Sequence, residues 1–449
     1  MRKQERRAWI CLVLAGVLLT GIIVFGVRFV RDGGKWASFY GNTQIYTDGM
    51  LNRGVITDRN GEMLIQCTPD GVIYSDDSII RKSTIHAVGD AAGNIASGAI
   101  NIYKSQLIGY DILNGTYDTD NSGKNIKLTI DAKANEAAYN ALGGRTGAVG
   151  VFNWKTGEIV CMVSTPSFDP DGYLPDDPDS SYYFNNFLDG AMTPGSTFKL
   201  LTSAAVIDNM PNRGSYKFDC NGSNEFHGVE FQDVNYHGEV NFRDALAQSC
   251  NGAFGELTRK VGAGVMAQYV SNTGLDAPVE FDGIKTAAGT FDFPANDDVK
   301  LSWAGIGQAD DLVNPCAMMV FVGAIANRGE AVQPTLIKSA TFIKEITGGK
   351  TMGRYLSENT ADELRNMMKY NVSSNYGDEN FPGLDVYAKS GTAQTGSWNP
   401  DAWFVGFTDG ANSPYAFVVW VKEGGYGSEV AAPIARTVLQ QLEDDNFEE

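Results

Sequence analysis

Pro194-Gly195-Ser196-Thr197-Phe198-Lys199 leads directly into Leu200-Leu201-Thr202-Ser203-Ala204-Ala205-Val206-Ile207. The proline and glycine make a tight turn, and the apolar run has the length and composition of a buried helix. Ser196 therefore sits at or near a helix N-terminus, where unpaired backbone N–H groups favour developing negative charge. Residues three apart on a helix share a face, so the Lys199 ammonium can reach the Ser196 hydroxyl. That makes a nucleophile with a base beside it. Lysine serves as a base only where burial or a cationic neighbour lowers its pKa, and a helix entering an apolar core supplies the burial. A chain this long carries about one or two S-x-x-K tetrads by chance, so the residues before and after must decide.

At 449 residues there is room for one large domain and a smaller one. A hydrophobic content of 43% with 20% charged residues describes a globular chain. The net charge of −19 excludes nucleic acid as a partner, since phosphate binding needs a basic footprint. It also excludes broad attraction to an anionic membrane face. Cys11, Cys67, Cys161, Cys220, Cys250 and Cys316 are scattered, and their spacing yields neither a disulfide framework nor a zinc site. His86, His227 and His237 form no H-E-x-x-H, so no metal or other cofactor is expected, and His237-Gly238 reads as a turn.

Arg2, Lys3, Arg6 and Arg7 precede an uncharged run over residues 8–27. At about 1.5 Å per residue that run spans roughly the 30 Å hydrocarbon core of a bilayer. The basic side stays in the cytoplasm, which places the rest of the chain outside. No A-x-A-like cleavage site follows, so the run is expected to remain as an anchor. Residues 33–123 read as short strands and turns. Within them, Asn52-Arg53-Gly54-Val55-Ile56-Thr57-Asp58-Arg59-Asn60-Gly61 reads as a strand and reverse turn, with a second strand at Met63-Leu64-Ile65.

Further on, Asp131 caps a helix over 132–142, and residues 147–154 and 158–164 form a hairpin around Lys155-Thr156-Gly157. A Pro- and Asp-rich loop over 166–181 leads to the Ser196 helix. A helix over 241–261 carries Ser249-Cys250-Asn251, and others cover 312–327 and 360–371. Strands follow at 386–394, 402–408 and 415–422, then a helix over 431–442 and a solvated acidic tail over 443–449. The pattern predicts an α+β fold, an antiparallel sheet with helices packed on it.

S-x-N occurs at Ser249, Ser357, Ser373 and Ser397, and only the first lies in a predicted buried helix. K-[ST]-G occurs as Lys155-Thr156-Gly157, the hairpin turn, and as Lys389-Ser390-Gly391 on a predicted strand that continues into Thr392. The order Ser196/Lys199, Ser249/Asn251, Lys389/Ser390/Gly391 resembles the penicillin-binding protein and serine β-lactamase superfamily. That order excludes Lys155, which precedes the nucleophile. The Arg53-to-Gly61 phrase resembles the mark of class B penicillin-binding proteins, the monofunctional D,D-transpeptidases. So do Asn185, His237-Gly238, Ala326-Asn327-x-Gly329 and Trp403-Phe404-Val405-Gly406. Gly307-Gln308-Ala309 departs from the family, which commonly has a second glycine, and this touches only a local loop.

The resemblance implies a cytoplasmic tail over 1–7, an anchor over 8–27, a small β-rich pedestal over 28–125 and a transpeptidase domain over 126–449. It implies that Ser196 attacks the penultimate D-Ala carbonyl of a peptidoglycan stem peptide and that Lys199 deprotonates it. Ser249 passes a proton to the departing D-Ala amine, Lys389 tunes Ser249 by charge, and Asn251 holds Lys199 and the substrate amide. Ser390 and Thr392 bind the terminal carboxylate, and the N–H groups of Ser196 and Thr392 form the oxyanion hole. Gly391 lets a peptide approach the strand edge. β-Lactams acylate the same serine. The residues between anchor and catalytic domain are too few for a glycosyltransferase, so the partner implied is a membrane glycan polymerase of the shape, elongation, division and sporulation type. The alternatives are a class D-like β-lactamase and a catalytically idle scaffold for such a polymerase.

Overall fold

The computed structural model describes residues 2–111, 114–117, 122–172, 174–177, 180–226, 228–233, 235–338, 348–410 and 413–448. His227, residues 173, 178 and 179 of the loop before Ser196, and Glu449 lie outside them. The apolar run belongs to helix α1 (Arg2–Ala37), whose most apolar window is wholly exposed and long enough to cross a membrane.

A first sheet follows, in which β1 (Val55–Thr57), β2 (Met63–Thr68) and β3 (Gly71–Tyr74) are antiparallel neighbours. β4 (Asn125–Lys127) pairs parallel with β1. The expected hairpin is present, and Asp58 is the reason it closes. One carboxylate oxygen accepts the N–H groups of Asn60, Gly61 and Glu62, each at 2.8 Å. The other accepts the Ala132 N–H at 3.1 Å, tying the turn to the next part of the chain. The strands-and-turns reading of 33–123 missed helix α2 (Ser78–Val88), capped by Asp77 at the N–H groups of Ile79 and Ile80. Its isoleucines, valine and threonine favour strands locally, and burial of its second half overrides that preference.

Helix α3 (Ala132–Leu142) starts at Asp131, whose side chain accepts the Ala134 N–H as expected. The second sheet is built from β5 (Gly147–Asn153), β6 (Ile159–Thr165), β7 (Val386–Ala393), β8 (Asp401–Thr408) and β9 (Tyr415–Val421). Its order is β7-β8-β9-β5-β6, every pair antiparallel, so β7 is an edge strand. Lys155 sits in the β5–β6 turn, exposed, as read. On one face, Val149, Val151, Phe404 and Phe417 pack with α3 and with the last helix, Ala431–Glu448. That helix continues past residue 442, so the acidic residues form its final turns rather than a separate tail. On the other face lie Phe152, Trp403 and Val405, against the helix Pro315–Ala326, every residue of which is buried. Such a two-sided core fixes β7, and everything borne on it, against the helical half of the molecule.

Candidate active site

The nucleophile turn is a short 3₁₀ segment, Gly195–Phe198, followed by helix α4 (Lys199–Asn209). It is held from both sides. Gly195 adopts φ +54°, and a Cβ there would stand 2.9 Å from Thr392 O, so only glycine fits. Its N–H donates to Gly307 O at 2.9 Å, and Trp403 Nε1 donates to Thr193 O at 2.9 Å. Ser196 opens onto a cleft of ≈ 570 Å³ that Ser249, Asn251, Tyr376, Ser390 and Thr392 also line.

Lys199 is fully buried. Its Nζ donates to Ser249 O at 2.6 Å, Asn251 Oδ1 at 2.7 Å and Ser249 Oγ at 3.3 Å. Burial pushes its pKa down to about 8, against the opposing pull of Asp233. No hydrogen bond joins Lys199 to Ser196 in this conformation, although the helical spacing allows one. Catalytic contacts of free enzymes often close only on substrate.

The helix expected over 241–261 is broken. It divides into α5 (Phe242–Ala247) and α6 (Asn251–Val261), and Ser249 sits between them at φ +59°. The break has a visible cause: Cys250 is extended and caps the Ala253 N–H, while Asp233 accepts the Asn251 N–H at 2.5 Å. This kink swings Ser249 Oγ to a second buried lysine, Lys389, whose Nζ donates to it at 3.0 Å and to Ser390 O at 2.8 Å. Burial and then the neighbouring Lys199 hold the Lys389 pKa well below its ordinary value. Asn251 spends its Nδ2 on Gln232 O at 2.7 Å.

Gly391 has a reason in the nucleophile turn as well. A Cβ there would meet Thr197 Cγ2 at 2.9 Å and Pro194 O at 3.0 Å, so the glycine makes room for the nucleophile turn itself. Ser390 reveals a residue that the sequence reading missed. Tyr376 Oη accepts the Ser390 N–H at 2.9 Å and bonds its Oγ at 3.0 Å. Tyr376 ends an irregular turn after the helix Glu358–Asn371, where no periodicity marks it. The Ser390 N–H points to the free edge of β7, and by the two-residue alternation of a strand the Thr392 N–H points there too. Gln308, with its amide in the orientation that satisfies both groups, pairs with Gln394 N and O at 3.2 Å each. Beside this cleft, Cys220, Asp233, His237 and Cys250 converge.

The family described as penicillin-binding protein transpeptidase domain matches residues 147–440. The chain belongs to this family. Among its relatives, the peptidoglycan D,D-transpeptidase PbpA of Mycobacterium tuberculosis is 28% identical over 361 residues, 72% of this chain and 73% of that one. Stage V sporulation protein D of Bacillus subtilis is 29% identical over 72% of this chain and 54% of its own. Among solved structures, penicillin-binding protein A from M. tuberculosis as a ceftriaxone acyl-enzyme superposes with a TM-score of 0.74 at 23% identity, covering 87% of this chain and 98% of that one. Pseudomonas aeruginosa PBP2 gives 0.71 at 25% identity, covering 87% and 96%. The mixed fold with its antiparallel sheet is therefore that of a penicillin-binding protein.

Proposed function

We propose that this penicillin-binding protein is a class B peptidoglycan D,D-transpeptidase that works through a serine acyl-enzyme. The observation that carries the reading is Ser249 Oγ held between two buried lysines beside Ser196 and the open edge of β7. Neutral Lys199 takes the Ser196 proton as Oγ attacks the penultimate D-Ala carbonyl. The N–H groups of Ser196 and Thr392 hold the oxyanion, typically a term of a few kcal/mol. As the C–N bond breaks, the leaving D-Ala amine takes a proton from Ser249, which regains one from Lys199. An acceptor amine then reverses these steps and forms the cross-link. Lys389 keeps Ser249 oriented through its hydrogen bond, and Asn251 holds Lys199. Ser390 and Thr392 receive the terminal carboxylate, and Gly391 lets the turn and strand meet.

Residues 8–27 anchor the chain, with 1–7 in the cytoplasm and the pedestal (28–125) and transpeptidase domain (126–449) outside. The basic flank supports this orientation. A pedestal of this size leaves glycan polymerisation to a membrane partner of the shape, elongation, division and sporulation type. No cofactor enters the chemistry. The test is fluorescent penicillin added to the full chain in detergent, with peptide mapping of the adduct. A long-lived adduct on Ser196, lost in Ser196→Ala, is expected. An adduct on Ser249, or none, overturns the reading, and rapid release of the adduct indicates a β-lactamase instead.

A further inference from the structure

Gln308 lies in the loop that departs from the family pattern, between Gly307 at φ +73° and Ala309 at φ +63°. Gly307 is pressed against the nucleophile turn, where a Cβ would stand 2.3 Å from Gly195 O. Its carbonyl accepts the Gly195 N–H at 2.9 Å, and the Gln308 N–H donates to Trp303 O at 3.0 Å. Ala309 holds a left-handed conformation that a residue with a Cβ rarely adopts, and this persists only where the surroundings fix it. The loop is therefore pinned, and Gln308 is buried with it, 9% exposed.

The Ser390 N–H faces the free edge of β7, and the two-residue alternation brings Thr392 and Gln394 to the same edge. A donor peptide with its carboxylate at Ser390 and Thr392 pairs its scissile residue with Thr392. Its C-terminus lies toward Ser390, so it runs antiparallel to β7 and its upstream chain heads for Gln394. In such a pair every second residue exchanges both main-chain bonds, so the residue two before the scissile one meets Gln394. The Gln308 carboxamide already holds that place, donating to Gln394 O and accepting the Gln394 N–H at 3.2 Å each. A side-chain amide has the donor and acceptor of a peptide group, so it fills the position as main chain would. Displacing it would exchange two hydrogen bonds for two and leave a buried amide to find new partners.

We propose that Gln308 is a specificity-determining residue that limits the donor to one paired residue on β7. This rests on the D,D-transpeptidase reading above and adds to it which part of the donor is recognised. The D-Ala–D-Ala end is read at Thr392, and the rest of the stem leaves the strand at Gln308 without main-chain pairing. Because the loop is tied to Gly195, the donor residue that pairs is also the one that Ser196 attacks.

The test offers two acyl donors to the full chain in detergent: N-acetyl-D-Ala–D-lactate, and the same ester extended by two residues on its N-terminal side. Either one forms an ester with Ser196 Oγ as its C–O bond breaks, and D-lactate leaves with the serine proton. In the wild type, kcat/KM for the long ester should lie within about twofold of that for the short one. Gln308→Ala frees Gln394 and should raise the long-to-short ratio about tenfold, the scale of one to two net hydrogen bonds, mainly through KM. A loop merely damaged by the substitution slows both esters and leaves their ratio alone. A ratio in Gln308→Ala within about twofold of the wild-type value overturns the proposal, as does a wild type that already favours the long ester about tenfold. Hydrogen exchange on the unmutated, ligand-free chain keeps the test independent of the variant's folding. The Gln394 amide should be protected, and exchange at the rate of exposed loop amides overturns the proposal. A wild type that cleaves neither ester and takes no penicillin on Ser196 overturns the transpeptidase reading and the proposal with it, whereas an unchanged ratio overturns the proposal alone.

Discussion

Ser249 is one hydroxyl between two amines that water has left. Burial drives both lysines toward the neutral form, and for Lys389 the neighbouring Lys199 adds to it. For Lys199 this is what a base requires: with a pKa of about 8, its neutral fraction grows about tenfold per pH unit below that value and saturates above. Acylation by penicillin should therefore rise with pH up to about 8 and then level off. Lys199→Ala should remove that rise and slow acylation by about 10²–10⁴-fold. A rate independent of pH between about 6 and 9 in the wild type would take Lys199 out of the role of base. Ser196 and Lys199 were legible because three residues on a helix are neighbours by geometry alone. Lys389 and Ser249 are 140 residues apart, and only family resemblance joined them. Asp233 and Tyr376 lie in irregular segments, and nothing local announces either.

At the scale of elements, β7 is the working part. All five strands of its sheet were readable because their apolar runs are long and bounded by turns. The break between α5 and α6 was not, because it is imposed from outside by Asp233 rather than by a Gly or Pro in the helix. Tyr376 and Gln308 close the free edge of β7 on either side of Thr392. Tyr376→Phe keeps the ring's edge-on contact with Phe404 but drops both bonds to Ser390. We expect it to lower the second-order acylation constant up to about tenfold, the scale of one net hydrogen bond, with the rate at saturation changed less. Lys389→Ala should cripple acylation, whereas Lys155→Ala on the exposed turn should stay within about twofold. Equal rates for the two lysine variants would mean that the wrong K-[ST]-G carries the site.

The whole molecule is a long exposed helix joined to a body that does not lean on its first three-quarters. Between residues 2 and 32 no side chain is buried, and burial begins at Gly33. A chain lacking residues 1–32 should leave the membrane, run as a single species in size-exclusion chromatography and acylate at the full rate. A truncated chain that folds but fails to acylate would show that the anchor shapes the catalytic body. The partly covered edge of β7 bears on how such bodies coexist side by side. An enzyme that takes up a peptide along an open strand offers the same invitation to the strands of its neighbours. Tyr376 and Gln308 leave about one residue of main chain uncovered between them, room for the end of a short peptide and too little for another sheet to add itself. By covering main chain on either side of Thr392, Tyr376 and Gln308 oppose the pairing of this edge with a strand from a second copy.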